Sequence, residues 1–218
     1  MRRIDMETWS RRDQYRYFSA MQWPYWSLNS EVDVTRARGF MKQHGVPSYL
    51  GMIYLVTKAA NAIPELRLRI QDGEVCEHET VHPSFTLLAH DGELRFCAAR
   101  YTDDPNAFLA RTREQSERIK RADAPLLTAT AQDVLYLSCL PWVHFTSVSH
   151  PMPLAPQDAI PRIVWGRFEP RGAGVVLAVN LHLHHGLADG LHASRFMLGL
   201  EELCADPEKG FAGLAPQG

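Results

Sequence analysis

The run His184-His185-Gly186-Leu187-Ala188-Asp189-Gly190 sets an imidazole base four positions ahead of a carboxylate and follows that carboxylate with a glycine. The four fixed residues, a paired histidine and then Asp-Gly after three spacers, arise by chance in roughly one chain of this length in a few thousand, so the run is specific on its own. A neutral histidine held in one tautomer can take a proton from a hydroxyl or thiol near pH 7, because its ordinary pKa lies close to that pH. His185 is the candidate base. Acyl transfer also needs a donor aimed at the developing oxyanion, and the Ser138 hydroxyl can supply one; a strand hydroxyl bonded to backbone is the alternative. Asp189 can orient the base, share a metal with it, or anchor its loop through an arginine. A metal bound by His182, His184 and His185 has the right ligand type, but adjacent strand residues point to opposite faces and no second ligand cluster accompanies them. His182 and His184, on one strand face, therefore read as core histidines satisfied by hydrogen bonds.

The elements around these residues decide whether they can be positioned. Gly174 to Leu183 is aliphatic and β-branched, which predicts a buried strand with His185 just beyond its end. Ala193, Phe196, Met197, Leu200, Leu203 and Cys204 recur at helical spacing, so a helix follows and Asp189 lies at its N-terminus, where negative charge is favoured. Pro47 to Ile63 carries an apolar helical face and is ended by Pro64. Two hairpins are expected. In the first, Leu66, Leu68 and Ile70 alternate with Arg67 and Arg69 before an Asp72-Gly73 turn; the second runs from Phe85 to Ala99 around Asp91-Gly92. Asp104 caps a helix that reaches Lys120 and shows solvent a broad face. Val134 to Leu140 is a further strand, stopped by Pro141. Hairpins plus covering helices predict an α/β two-layer sandwich with a mixed sheet. The aromatics Tyr15, Tyr17, Phe18, Trp23, Tyr25 and Trp26 fit either core or a ligand pocket.

The 218 residues suffice for one sizeable core, expected over 1–205, with a loosely held tail at 206–218. A formal charge of −2 gives no bias toward polyanions, which argues against a nucleic-acid role. The N-terminus has no apolar run of the secretory kind and no stretch reaches a membrane span, so a soluble, cytoplasmic protein without membrane partners is expected. Four scattered cysteines suggest reduced thiols, about half of them in the core, rather than a zinc site or disulfide framework.

Taken in order, several segments resemble the chloramphenicol acetyltransferase family over nearly the whole chain. Trp9-Ser10-Arg11-Arg12 is similar to the family's N-terminal tryptophan-arginine signature, Met52-Ile53-Tyr54-Leu55 to its first long helix, and Glu65-Leu66-Arg67 to the turn after it. Leu137 to Ser147 is similar to the oxyanion-side segment, and His184 to His192 with Arg195-Phe196 to the active-site strand and helix. The resemblance implies that His185 is the general base, that Ser138 hydrogen-bonds the tetrahedral oxyanion, and that Asp189 is structural, paired with Arg11. It implies acetyl-coenzyme A as co-substrate, no metal, and direct transfer in a ternary complex without an acyl-enzyme. It further implies a homotrimer whose active sites lie between subunits. Tyr49, Trp142, Arg167 and Phe168 align with the cofactor channel, where Arg167 offers what phosphate oxygens require, and Pro47 replaces a lysine common there.

The acceptor pocket departs further from the family pattern. Its phenylalanine-tyrosine pair is reversed as Tyr17-Phe18, Val164 stands for a threonine, His182 for a glutamine, and Trp26 for a smaller aromatic. Losing a hydroxyl donor either costs activity or indicates another acceptor. The resemblance thus implies O-acetylation of chloramphenicol, an antibiotic-resistance activity, with a same-family enzyme for another small alcohol and a non-catalytic trimeric binder as rivals. Dihydrolipoyl acyltransferases and condensation domains share the histidine motif, but this chain shows no lipoyl segment and is half a condensation domain's size.

Overall fold

The computed structural model describes residues 1–121 and 131–215. In chain order these form β1 (Arg2–Arg3), α1 (Arg12–Ser19), β2 (Tyr25–Asp33), α2 (Thr35–Gln43), α3 (Ser48–Asn61), β3 (Leu68–Gln71), β4 (Glu74–Glu77), β5 (His82–Leu88) and β6 (Leu94–Ala98). There follow α4 (Pro105–Arg121), β7 (Val134–Leu140), β8 (Arg162–Gly166), β9 (Glu169–Arg171), β10 (Gly174–His184), α5 (Gly190–Ala205) and α6 (Pro207–Gly210). Seven strands make the main sheet in the order β2-β10-β8-β7-β5-β6, with β9 on β10. The pairs β5–β7 and β7–β8 are parallel and the others antiparallel, so the sheet is mixed.

β10 lies one strand in from the edge of that sheet, and its alternation divides its side chains between two covered faces. Leu177, Val179, Leu181 and Leu183 join the core with residues of α3 and α5, each contributing about 1.5–3 kcal/mol by leaving water. The intervening Ala178, Asn180, His182 and His184 face the other side, as the pleat requires. There an irregular strap drawn from residues 148–158 covers them. Asn180 Nδ2 donates to the Val148 carbonyl at 3.2 Å, Tyr25 Oη donates to the Pro153 carbonyl at 3.0 Å, and His184 Nε2 lies 3.2 Å from Gln157 Oε1. Helices α2 to α6 thus form one layer and the sheet the second, with the strap on the sheet's outer face and α1 tied to that strap, since Gln157 Nε2 donates to the Ser19 carbonyl at 3.0 Å.

The helix ending before Pro64 and the hairpin turns lie close to their expected positions, but the first hairpin differs. Pro64–Arg67 is a 3-10 turn, so the strand begins at Leu68 rather than Leu66. Asp72 and Gly73 have φ of 51° and 80°, the left-handed pair a two-residue hairpin turn needs. The hairpin joins β1 in a separate small sheet. Arg69 does not point to solvent as the alternation suggests: it is fully buried, and its guanidinium donates to the carbonyls of Leu66, Leu68, Gln132 and Val134. Burial lowers its pKa to about 9, above neutral pH, so it remains a cation satisfied by carbonyl dipoles.

The segment expected to be loose also differs. Phe211 is buried, stacking on Phe40 and Tyr54 with centroids 5.6 and 5.3 Å away, and Lys58 Nζ donates to the Gly210 carbonyl at 3.0 Å. Asn106 then holds Gly213 and Ala215. One aromatic anchor outweighs a composition rich in glycine, proline and alanine; residues 216–218 lie outside the described structure.

Candidate active site

His185 follows β10 directly, and its backbone N–H donates to the Pro24 carbonyl at 2.7 Å, tying the turn to the start of β2. Phe18, on α1, stacks on the imidazole at 3.9 Å with an 8° interplanar angle, and Trp26 lies 5.3 Å away on β2. Nδ1 is buried without a hydrogen-bond partner among the described residues, which leaves Nε2 as the open nitrogen. Trp26 Nε1 donates to the Ala188 carbonyl at 3.1 Å, so the same indole flanks the base and holds its loop. Tyr17, edge-on to Phe18 at 5.2 Å, is 65% exposed, so in a single chain it lines no enclosed pocket.

Asp189 closes this loop. It caps α5, accepting from the Leu191 N–H, while His192 Nδ1 accepts from the Asp189 N–H in a reciprocal box. Its other oxygen meets Arg11 Nη1 at 2.5 Å. Burial raises the Asp189 carboxyl, but the Arg11 hydrogen bond and charge outweigh it and hold the group below the usual carboxylate value. The carboxylate therefore steadies the loop through Arg11 and the helix start.

Ser138 lies on the outer face of β7, where its Oγ is 2.9 Å from Thr86 Oγ1 on β5. Together with Val164 it lines a cavity of about 500 Å³ whose other walls include Tyr136, His150, Arg162 and Phe96. The register fixes how far this cavity is from the base. Ser138 pairs with Val164 and Val164 with Asn180, and His185 stands five residues further along. That is about 16 Å along the strand and two strand spacings of ~4.8 Å across it. A reacting atom must sit about 3 Å from both base and oxyanion donor, so one chain does not bring His185 and Ser138 to a common centre.

Three of the four expected cofactor residues cluster at the ends of the parallel strands β7 and β8. The Arg167 N–H donates to the Val143 carbonyl at 2.9 Å, joining the Trp142 loop to the Arg167-Phe168 turn. Gly166 permits that approach, since a Cβ there would lie 2.8 Å from the Val143 carbonyl oxygen. Trp142 is 69% exposed, Arg167 is exposed and paired with Glu169 at 2.7 Å, and the Phe168 ring carries the Arg38 guanidinium at 5.4 Å. Tyr49 stands on the helix side, its hydroxyl donating to the Thr86 carbonyl, and burial pushes its pKa far up.

The outer sheet face holds residues that the sequence alone did not single out: Tyr136, His150, Arg162 and Thr86. Tyr136 shares a strand face with Ser138 two positions on, so period-two spacing was the available signal; His150 sits in the strap and carried none. His184 is satisfied as expected, bonded to Gln157 and to the Gly186 N–H, whereas buried His182 has neither ring nitrogen partnered among the described residues. Burial, helped by neighbouring imidazoles, lowers both to about 4. Among the described residues no group of three or more His, Cys, Asp or Glu side chains is placed to hold a metal, and no helix is long and apolar enough to cross a membrane. All four cysteines are free, and burial raises Cys97 to about 11 and Cys139 and Cys204 to about 12, so none of these three is a thiolate nucleophile at neutral pH.

This mixed sheet, with helices α2 to α6 on one face and the histidine turn after the long strand beside its edge, is the fold of acyltransferase catalytic cores. The dihydrolipoamide acetyltransferase of Azotobacter vinelandii shares it with a TM-score of 0.59, over 85% of this chain and 83% of its own, at 18% identity. A solved chloramphenicol acetyltransferase superposes with a TM-score of 0.83, covering 92% of this chain and 98% of its own at 27% identity. The chain belongs to the chloramphenicol acetyltransferase family, whose profile matches residues 1–201. Chloramphenicol acetyltransferase 3 of Escherichia coli is 29% identical over 205 residues, 93% of this chain and 96% of that protein. The chloramphenicol acetyltransferase of Proteus mirabilis is 24% identical over 203 residues, 92% of this chain and 93% of that protein. Membership makes this an acetyltransferase-family protein, in a family whose co-substrate is acetyl-coenzyme A.

Proposed function

We propose that the protein is an acetyl-coenzyme A-dependent O-acetyltransferase working as a homotrimer in the cytoplasm, with each site built from His185 of one copy and the Ser138 cavity of the next. The observation that carries this reading is the separation of the two residues within one chain by strand register. Acetyl-coenzyme A supplies the acetyl group as a thioester. His185 Nε2 takes the proton from the acceptor hydroxyl as it attacks the thioester carbonyl, and Ser138 Oγ–H donates to the oxyanion. For this the Thr86 Oγ1–H donates to Ser138 Oγ across their 2.9 Å contact, which leaves the serine proton for the oxyanion. The proton then passes from His185 to the leaving thiolate. Raised thiol pKa values at Cys97, Cys139 and Cys204 favour this direct transfer over a cysteine acyl-enzyme. Arg167, Trp142, Phe168 and Tyr49 form the cofactor channel, with Arg167 exchanging Glu169 for a phosphate oxygen.

Chloramphenicol is the acceptor that the relatives' names put first, with resistance to that antibiotic as the consequence. A different small alcohol is a second reading, favoured by the polar side chains Tyr136, His150 and Arg162 in the Ser138 cavity. Tyr17, Phe18 and Trp26 line the acceptor from the His185 side and Val164 from the Ser138 side. The test is thiol release from acetyl-coenzyme A with chloramphenicol, against a His185→Ala control. Release that needs both substrates and His185 supports the assignment; chloramphenicol binding without any release favours a non-catalytic binder.

A further inference from the structure

The cavity over Ser138 divides by chemistry. Phe96, Ala98, Val134, Pro151 and Val164 give it apolar walls suited to a carbon skeleton, while Tyr136, His150 and Arg162 bring polar groups to the same space. Arg162 offers no free charge, because Asp158 pairs with it at 2.7 Å and the Ile160 carbonyl accepts from it at 3.1 Å. Its guanidinium instead stacks at 5.2 Å over the Tyr136 ring and pins it. The Tyr136 hydroxyl has no hydrogen-bond partner among the described residues, and burial raises its pKa, so it stays a neutral donor and acceptor.

His150 is equally committed in orientation. Asn180 Nδ2 donates to Asn29 Oδ1 at 2.9 Å and to the Val148 carbonyl at 3.2 Å, which makes Asn180 Oδ1 an acceptor. His150 Nε2, 3.1 Å from that oxygen, must then carry the proton. Its Nδ1 is left as an unengaged acceptor on a ring that lines the cavity. Tyr136 stands one pleat repeat, about 7 Å, along β7 from Ser138.

We infer that Tyr136 and His150 are specificity-determining residues that select a neutral acceptor bearing a second hydroxyl remote from the hydroxyl to be acetylated. The inference rests on the reading that the Ser138 cavity receives the acceptor. A site with an unengaged donor and acceptor penalises a ligand that lacks the matching hydroxyl, because those groups are left unpaired when water is expelled.

The test compares 1,4-benzenedimethanol with 4-methylbenzyl alcohol, two probes of matched skeleton, on the intact protein. Binding is measured by calorimetry without acetyl-coenzyme A and turnover by thiol release with it. The diol should bind at least ~10-fold tighter and, after correction for its two equivalent hydroxyls, show a kcat/KM ratio of similar size. Tyr136→Phe and His150→Phe should each bring the binding ratio toward one. Turnover of both alcohols without discrimination overturns the inference and leaves acetyl transfer standing. Discriminating binding that both variants lose supports the inference, and if thiol release is absent with chloramphenicol as well as with both probes, the transfer reading alone is overturned. Equal binding of the two probes, or binding of neither, overturns the inference.

Discussion

Arg11 Nη1 and Asp189 Oδ2 meet at 2.5 Å although 178 positions separate them in the chain, and Arg11 Nη2 also reaches the His185 carbonyl at 3.5 Å. The pair therefore locks the N-terminal segment onto the loop that carries the base. Asp189→Asn leaves the guanidinium, with only 12% of its side chain exposed, without its counter-charge. We expect a loss of about 1–3 kcal/mol in urea unfolding, together with slower thiol release, because the loop that aims His185 loosens. Wild-type stability and rate in the asparagine variant would show that the pair does not hold the loop.

Replacing His185 removes the proposed base from a partly exposed ring between Phe18 and Trp26, outside the main core. His185→Ala should lower kcat by about 10²–10⁴-fold while the far-ultraviolet spectrum and unfolding midpoint stay close to those of the parent. A rate within a few-fold of the parent removes His185 from the mechanism.

Separation of His185 from Ser138 by strand register makes a stronger prediction. Ser138→Ala and His185→Ala proteins, each nearly inactive alone, should regain activity when unfolded together and refolded as an equal mixture. Roughly a quarter of the sites then pair an intact serine with an intact histidine. Mixed protein no more active than its components would mean that each site lies within one chain.

His182 and His184 remain neutral in the folded protein until the pH falls to about 4, whereas unfolded imidazoles take up protons near 6.5. The unfolded state thus binds more protons between these values, so stability is complete above about pH 6.5 and declines as the pH drops toward 4. Urea midpoints should fall between pH 7.5 and 5, and His182→Gln should flatten that slope. An unchanged slope in this variant would remove His182 as a contributor.

Arg69 binds four carbonyls from inside the protein and joins the small sheet to the start of β7. Arg69→Met keeps volume but strands those carbonyls, and we expect a loss of about 3 kcal/mol or more by chemical denaturation. A loss under about 1 kcal/mol would mean that the carbonyls find water or other partners.

The legible parts of the fold were those with strong periodicity. β10 and α5 declare themselves because buried aliphatics recur at the strand and helix periods, and the Asp72-Gly73 turn because its backbone angles demand those residues. α1 has no buried residue and α2 only Ala37 and Met41, so neither shows an apolar stripe to find. β2 mixes polar and apolar residues because its outer face meets the strap rather than the core. Arg69 and Phe211 illustrate the reverse limit: a cation can be buried by distant carbonyls, and one aromatic can fasten a tail, through contacts that no local pattern encodes. At the candidate site, His185, Asp189 and Ser138 were visible by type and spacing, whereas the role of His150 depends on Asn180 and on a strap without regular structure.

β10 pairs along its length with β2, where Ser30 meets Val179. A ribosome adding about 5–20 residues per second takes roughly 8–30 s to cover that interval. During synthesis β2 emerges early and waits, edge unpaired, for a partner made much later. The nascent chain therefore carries an open strand template through most of its translation, and slower growth temperature or a chaperone that shields this edge should raise the yield of soluble protein.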